Sequence, residues 1–191
     1  MSIPCSALAC NTCNYRAVRC PVGNWCYQLP SGKTTDAWIS SGWCSACDTL
    51  TIIEKFPSID GITSKLESTI AESEQYSSTF FARLRTLLSS SRRYWRARAT
   101  EEAGRLQTEL DHAREFLDVR RSPSKCLSCG GELFQPLDLK DINQTYEIPH
   151  RGCSAPLRVV KALWPFPDSI KVTVMDVEAN VVSTHFRTVE Y

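Results

Sequence analysis

The sequence predicts an α+β protein in which a helical middle segment separates two cysteine-rich modules built from short strands. Residues 60–121 contain no proline and, past Gly61, only one glycine, and their apolar residues recur at helical spacing. Cysteine pairs lie on both sides of this segment, among short apolar runs interrupted by turn residues. We therefore expect three domains, which comprise residues 1–57, 58–122 and 123–191.

The helical segment has two possible forms. One uninterrupted helix would be roughly 90 Å long at 1.5 Å per residue, whereas a hairpin would have two helices of about 40 Å each. A run of three serines at residues 89–91 lies near the middle, and serine side chains compete for backbone hydrogen bonds. We expect a long antiparallel, coiled-coil-like helical hairpin. The single long helix, which could form a homodimer through its apolar stripe, is the alternative.

Composition narrows the classes of protein to consider. The 22 basic and 21 acidic side chains of this 191-residue chain nearly cancel, so no global charge attracts it to nucleic acid or membrane. No apolar run approaches the roughly 18 residues of a membrane span, and the N-terminus lacks the pattern of a secretory signal. We expect a cytoplasmic protein with no membrane association. In that reducing compartment, ten cysteines indicate metal binding rather than disulfides.

The first candidate metal-ligand set consists of two Cys-x2-Cys pairs. Cys10 and Cys13 form one pair, and Cys44 and Cys47 form the other after 30 intervening residues. Each pair places two thiolates on a tight turn, and two facing turns would complete a tetrahedral site with four sulfur ligands. The residues between the pairs resemble strands and turns. We expect these four cysteines to bind one zinc ion.

The second candidate set follows the helical segment. Cys126 and Cys129 form a Cys-x2-Cys pair, and His150 and Cys153 form a His-x2-Cys pair 20 residues later. Together they would make a site of three cysteines and one histidine, again with four ligands. Two runs rich in β-formers follow, at residues 170–177 and 181–191, and we expect them to form a β-hairpin that extends the sheet of this module.

Both sets resemble the zinc ribbon, a fold group in which two cysteine turns at the ends of short β-hairpins bind one zinc. The resemblance rests on cysteine spacing over about residues 10–48 and 125–159. It implies an N-terminal zinc ribbon, a C-terminal zinc ribbon with a β-hairpin, and two structural Zn²⁺ ions. In such turns the residue after the second cysteine is often glycine, and Asn14 can adopt the same left-handed backbone.

Three cysteines, Cys5, Cys20 and Cys26, are left over. We interpret them as small buried residues, although exchange of one of them into a metal site is an alternative. Four ligands in each set leave no coordination position for water, and the chain has no nucleophile elbow or paired-histidine metalloprotease motif. We therefore expect no enzymatic activity.

A basic patch lies in the middle of the helical segment. Residues 83–98 contain six arginines and no acid, together with Tyr94 and Trp95. Arginine beside exposed aromatic rings is typical of surfaces that bind phosphate and stack on bases. The candidate binding residues are Arg92, Arg93, Trp95, Arg96 and Arg98. The alternatives are a solvated helix face or a site for an acidic protein partner. Taken together, the sequence predicts a zinc-binding adaptor or scaffold for protein partners, with nucleic-acid binding as the alternative function.

Overall fold

The structure is a computed structural model, which describes residues 2–19, 23–75, 89–165 and 167–188. The chain divides into two compact units. Residues 1–56 and 121–191 form the first, which we call the sheet unit, and residues 57–120 form the second, which we call the helical unit. The helical unit is therefore an insertion in the chain of the sheet unit.

Eleven strands are present in the described part of the sheet unit. In chain order they are β1 (Ser2–Cys10), β2 (Arg16–Arg19), β3 (Asn24–Gln28), β4 (Thr34–Asp36), β5 (Ile39–Cys44), β6 (Thr49–Glu54), β7 (Phe134–Pro136), β8 (Thr145–Tyr146), β9 (Leu157–Pro165), β10 (Ser169–Met175) and β11 (Val181–Thr188). They form three sheets, with the strand orders β2-β1-β9-β8, β11-β10-β3-β4 and β6-β5-β7. We call these the first, second and third sheets. Each sheet combines strands from before and after the helical unit.

Strand β1 is central to the first sheet. It pairs antiparallel with β9 over nine residues and with β2 on its other side. Both faces of β1 are covered, since Leu8 packs in one apolar cluster and Ala7 in another, and neither side chain is exposed to solvent. The larger cluster joins the first sheet to the third, because Leu157 and Val159 of β9 lie in it beside Trp43 of β5. The main core is therefore built across the two ends of the chain.

The helical unit contains α1 (Ile59–Gln75) and α2 (Ser90–Val119). Each begins at a serine cap: the Ser58 hydroxyl accepts the Gly61 N–H at 3.1 Å, and the Ser89 hydroxyl accepts the Arg92 N–H at 3.3 Å. Ser89 itself has an extended backbone, with φ −111° and ψ 115°. A single uninterrupted helix over residues 60–121 is therefore excluded. Residues 76–88, which include part of the expected basic patch, lie outside the described residues.

The two helices pack through leucines. Leu66 of α1 forms an apolar cluster with Leu106 and Leu110 of α2, and all three side chains are buried. Their spacing follows the helical periodicity of the sequence. Neither described helix is long and apolar enough to cross a membrane.

The predicted fold class is wrong. In the described residues, strands are more numerous than helices and include more of the chain, and no long helical hairpin is evident. The helical periodicity predicted helices, but α1 has 17 residues and α2 has 30, so they are not matched arms. The extent of sheet was underestimated because β1 is rich in alanine, serine and cysteine, which carry little β-propensity of their own. Burial on both faces and pairing with β9 make it a strand.

The expected three-domain division also differs from the observed units. Residues 1–57 and 123–191 were expected to fold as separate modules, whereas the structure joins the two ends of the chain in the sheet unit. The C-terminal hairpin is present, since β10 and β11 pair antiparallel. Its sheet partner is β3, which pairs with β10 in parallel, rather than a strand of the second ligand set. The physical reason is long-range strand pairing, which local periodicity does not reveal.

Candidate metal centres

The first ligand cluster contains four cysteines. Cys44 ends β5, Cys47 lies in the turn before β6, and Cys126 and Cys129 lie on the loop that leads to β7. The Cys44 and Cys129 sulfurs are 3.6 Å apart, the Cys47 and Cys126 sulfurs are 3.9 Å apart, and all four lie within 4.8 Å of one another. Four sulfurs at about 2.3 Å from one zinc ion would stand about 3.8 Å apart at tetrahedral angles. The cluster has the dimensions of a tetrahedral metal site.

The second ligand cluster contains three cysteines and a histidine. Cys10 ends β1, Cys13 follows in the next turn, and His150 and Cys153 lie just before β9. The Cys10 and Cys153 sulfurs are 3.9 Å apart, and the Cys13 sulfur is 3.2 Å from Nε2 of His150. All four donor atoms lie within 4.8 Å of one another. This donor set also fits one tetrahedral zinc ion.

The structure therefore brings together all eight predicted ligands but in a different grouping. We expected each site to combine two pairs adjacent in sequence, Cys10/Cys13 with Cys44/Cys47 and Cys126/Cys129 with His150/Cys153. The observed clusters instead combine one pair from each end of the chain. Strand pairing explains the exchange, because Cys10 lies opposite Leu157 in the β1–β9 register, while Ile53 of β6 pairs with Cys126. We call the observed groups the all-cysteine cluster and the histidine-containing cluster.

Left-handed backbone residues shape three of the four ligand turns. Asn14, Asp48 and Gly130 each follow the second cysteine of a Cys-x2-Cys pair, and their φ angles are 57°, 47° and 73°. This conformation turns the chain sharply, so that backbone N–H groups point back at the sulfurs. The Thr12 N–H donates to the Cys10 sulfur at 3.3 Å, and the Gly131 N–H donates to the Cys129 sulfur at 3.4 Å. The left-handed backbone predicted for Asn14 is confirmed.

The His-x2-Cys turn is built differently. His150 and Cys153 exchange both backbone hydrogen bonds, at 2.9 and 2.7 Å, and the two residues between them, Arg151 and Gly152, have φ angles of 44° and 75°. Two positive φ angles in a two-residue loop are typical of a type I′ hairpin turn. The turn holds both ligands at the base of a tight hairpin.

His150 is oriented by contacts on its whole ring. It is 1% exposed, and its Nδ1 lies 2.9 Å from the backbone carbonyl oxygen of Ile148. Donation from Nδ1 to this carbonyl leaves the lone pair on Nε2, the atom that faces the Cys13 sulfur. The rings of Tyr15 and Trp43 pack against the imidazole at centroid distances of 5.0 and 6.3 Å. This arrangement holds the ring with Nε2 directed at the other donor atoms of the cluster.

Backbone donors also favour thiolates in both clusters. The N–H groups of Cys13 and Thr12 lower the pKa of Cys10 to about 6. Burial raises the pKa of Cys126, but the N–H groups of Ser128 and Cys129, together with hydrogen bonds from the Cys44 and Cys129 thiols, outweigh burial and bring that pKa to about 7. Each cluster therefore contains one thiol that ionises readily near neutral pH, and the thiolate is the form that binds metal.

Three other thiols in the clusters have a pKa shifted in the opposite direction. Burial is the main cause that raises the pKa of Cys13, Cys44 and Cys47, and neighbouring sulfurs add to it. A thiol that faces an existing thiolate resists a second negative charge in the absence of a cation. A bound divalent ion would remove this repulsion, since coordination deprotonates thiols outright. Several sulfurs held this close together are therefore an arrangement suited to a cation.

Polar residues next to the ligands connect the two clusters. Asp48, which follows Cys47, accepts the backbone N–H of Arg151, which follows His150, at 3.0 Å. The hydroxyls of Tyr15 and Thr49 are 3.0 Å apart, and the guanidinium of Arg151 lies 5.2 Å from the Tyr15 ring centroid. Sequence reasoning did not identify these bridging residues, although each lies within two positions of a ligand. The two centres thus form one connected structure.

Two of the three leftover cysteines, Cys5 and Cys26, are described, and both lie outside the two clusters. Cys5 is buried and disulfide-bonded, so not every cysteine in the chain is a free thiol. The Cys26 sulfur lies 3.9 Å from a carboxylate oxygen of Asp36 at a half-buried position, and burial and this carboxylate raise its pKa. Cys20 lies outside the described residues. Neither described residue belongs to the two observed clusters.

The predicted binding residues of the helical unit lie on the first two and a half turns of α2. Arg92, Arg93, Arg96 and Arg98 are all exposed, and Trp95 is 47% exposed. The Arg98 guanidinium lies 5.7 Å from the Trp95 ring centroid. The structure therefore brings these five side chains together on a solvent-facing segment of one helix. Among known proteins, the chain matches no family model, no curated protein sequence and no solved structure.

Proposed function

We propose that this protein is a non-enzymatic adaptor, in which two structural zinc ions stabilise a sheet scaffold that presents a binding surface to protein partners. Zinc is the metal that best fits sets of four sulfurs or of three sulfurs and one imidazole in tetrahedral arrangement. Each cluster already has four protein donors, so a bound ion would have no position for a substrate or a catalytic water. This supports a structural role for the metal.

The interleaved ligands explain why such a scaffold needs metal. Each cluster joins a segment from before the helical unit to one from after it. One zinc site of this kind contributes binding free energy on the order of 10 kcal/mol, which is comparable to the whole free energy of unfolding of a domain. Two zinc ions would therefore hold the two ends of the chain together in the sheet unit.

The observation that carries the adaptor proposal is an exposed apolar surface on the second sheet. Every residue of β11 is exposed, and β11 is the edge strand of its sheet among the described strands. Val181 and Val182 are 61% and 55% exposed, and Phe186 is 71% exposed. Phe186 and Trp164 line a hollow of about 370 Å³ beside β10. An edge strand with exposed apolar side chains can pair with a strand of a partner and receive its apolar side chain in this hollow.

Site-specific photocrosslinking tests this proposal. A photoreactive phenylalanine analogue would replace Phe186 or, separately, Trp164 in the zinc-loaded full chain, with the exposed Lys33 position in the same unit as the control. We expect the same protein to be crosslinked from positions 186 and 164 but not from 33. The purified partner should then bind the Phe186→Asp variant at least tenfold more weakly than the wild type. Failure to obtain a common adduct from positions 186 and 164 would count against the adaptor role.

The second candidate function is nucleic-acid binding by the arginine-rich segment of α2. Arg92, Arg93, Arg96 and Arg98 carry four positive charges within two turns, and none forms a salt bridge in the described part of the helical unit. Trp95 lies among them and is half exposed, so its ring is available for stacking. The acids of α2, such as Glu102, Glu109 and Asp111, lie further along the helix.

Fluorescence anisotropy of labelled single- and double-stranded DNA and RNA, measured across a salt series, tests this second function. An Arg92→Glu/Arg96→Glu variant is compared with Lys33→Glu/Arg114→Glu, which changes the net charge equally at exposed positions elsewhere. If the segment binds phosphate, affinity should decrease steeply with salt and disappear only in the first variant. Equal losses of affinity in both variants would indicate nonspecific charge attraction. No binding to nucleic acid at low salt would reject this second function and leave the adaptor role as the one proposed function.

A further inference from the structure

The sheet unit contains a basic cleft with a volume of about 1120 Å³. It lies between one end of the first sheet, the start of β5 and the loop after β7. Four of its lining side chains are basic, and none of the described lining residues is acidic; the basic ones are Arg16, Arg19, Lys140 and Lys161. This cleft shares no residue with either metal cluster.

Strand register places three of the lining residues in one row. Ser6 of β1 lies opposite Arg19 of β2 on one side and opposite Lys161 of β9 on the other. Residues opposite each other on neighbouring strands project from the same face of a sheet. The face of this row is the one towards the loop, because the Ser6 hydroxyl donates to the backbone carbonyl of Leu139 at 3.1 Å. Two cations thus flank a serine across three adjacent strands, with Lys140 on the facing loop.

Three of the four cations of the cleft are not neutralised within the described residues. Arg16, Lys140 and Lys161 are exposed and make no salt bridge to a described acid. The same loop carries two acids, Asp138 and Asp141; Asp138 accepts the backbone N–H of Lys140 at 3.1 Å, and neither is among the described residues that line the cleft. Arg19 is half-buried, and this burial lowers its pKa. Basic side chains that line one concavity attract an anion, and the field is strongest inside the cleft.

The rest of the lining is largely apolar. Ile39, Leu139, Ile142 and Leu163 face the cleft, and Leu163 is 72% exposed. A volume of this size is slightly above the usual range of about 300–1,000 Å³ for small-molecule sites, in which apolar walls surround a few well-placed polar groups. The lining therefore suits a ligand with an anionic end and an apolar or aromatic body. A phosphate monoester carries nearly two negative charges and three acceptor oxygens, which matches several cations better than a single carboxylate does.

We propose that this cleft binds a phosphorylated organic molecule of about nucleotide size, with its phosphate at the row of Arg19, Ser6 and Lys161 and its organic part against the apolar wall. Lys161 supplies a compact charge to the phosphate, and Arg16 and Lys140 add two further exposed cations to the same cleft. The cleft adjoins the hollow beside β10, since Arg19 and Gly23 line both, and it adds a small-molecule ligand to the proposed adaptor.

Isothermal titration calorimetry of the zinc-loaded full chain tests the proposal with adenosine 5′-monophosphate as the probe. Adenosine and inorganic phosphate are titrated in parallel. We expect the monophosphate to bind at least tenfold more tightly than either, because the phosphate and the organic part contact different walls of the cleft. The Lys161→Met variant should lose about tenfold or more in affinity for the monophosphate, as expected when a charged hydrogen bond is removed. The matched control, Lys33→Met, should bind like the wild type.

Three results would overturn the proposal. The first is no binding of the monophosphate at millimolar concentration, the second is equal binding of adenosine, and the third is an equal effect of Lys161→Met and Lys33→Met. Zinc content and circular dichroism of each variant check that it is folded. Because Lys161 is exposed, we expect the Lys161→Met variant to fold like the wild type. A single-stranded oligonucleotide is included, and binding of it alone would also reject a small-molecule site. Lys161 does not line the hollow beside β10 and Phe186 does not line the cleft, so the two variants report on the two proposals separately.

Discussion

Paired cysteine substitutions distinguish the observed grouping of ligands from the grouping of sequence neighbours. Both arrangements give one site with four sulfurs and one with three sulfurs and an imidazole, so spectroscopy of the donor set does not separate them. The pairs of substitutions do. Cys10→Ser with Cys153→Ser removes two ligands from the histidine-containing cluster and none from the all-cysteine cluster. Cys10→Ser with Cys44→Ser removes one ligand from each cluster.

The size of the effect follows from the number of ligands lost. If about 10–16 kcal/mol of zinc binding is shared among four ligands, each ligand accounts for about 3 kcal/mol, or about two orders of magnitude in affinity. The Cys10/Cys153 variant should therefore keep one zinc at the affinity of the wild type and lose the other. The Cys10/Cys44 variant should keep no zinc at that affinity, and its sheet unit should be the less stable of the two.

Native mass spectrometry after incubation with a competing chelator measures the number of retained zinc ions. We expect two for the wild type, one for Cys10/Cys153 and none for Cys10/Cys44. Cys26→Ser is the control, because this thiol lies outside both clusters, and it should retain two. The opposite pattern, with none retained by Cys10/Cys153 and one by Cys10/Cys44, would refute the grouping that the structure shows.

Three further predictions concern stability. Replacing residues 57–120 by a short glycine-serine linker should leave both zinc ions bound, which mass spectrometry of the shortened chain checks. The reason is that Glu54 and Lys125 are hydrogen-bonded where the chain leaves and rejoins the sheet unit: the Glu54 N–H donates to the Lys125 carbonyl at 2.9 Å, and the Lys125 N–H donates to the Glu54 carboxylate at 2.8 Å. Leu106→Ala should destabilise the helical unit by about 2–5 kcal/mol without loss of zinc, measured by thermal circular dichroism against the exposed Thr108→Ala. Gly42→Ala should destabilise the sheet unit by about 1–3 kcal/mol in denaturant titrations, since its Cβ would meet the Gln135 carbonyl oxygen at 2.9 Å, and an unchanged midpoint would contradict this close packing of β5 on β7.

Several features were predictable because they depend on local sequence. The eight candidate ligands were identified from their spacing, since two donors three positions apart can bind one ion from the same tight turn. The helical periodicity of residues 60–121 predicted helix, and α1 and α2 both form in that part of the chain. The C-terminal hairpin followed from two β-rich runs around a short turn. In each case the sequence pattern and the structural element that it predicts involve the same stretch of the chain.

The partners of these local elements were decided by the tertiary structure. Sequence proximity favours joining Cys10 to Cys44, 34 positions away, over Cys153, 143 positions away. The entropic advantage of the shorter loop is only about 1 kcal/mol, because the cost of loop closure grows with the logarithm of loop length. The nine-residue pairing of β1 with β9 and the apolar core around Leu8 outweigh that difference.

The sequence by itself thus determined which residues could bind metal, which segments form helix and where the chain turns. The tertiary structure decided that sheet dominates, that the two ends of the chain fold as one unit, and that each metal cluster takes half its ligands from each end. It also created the basic cleft, whose cations come from β2, β9 and the loop after β7. The reason is that turn geometry and helical periodicity are encoded by neighbouring residues, whereas strand partners are chosen by burial of apolar surface across the whole chain.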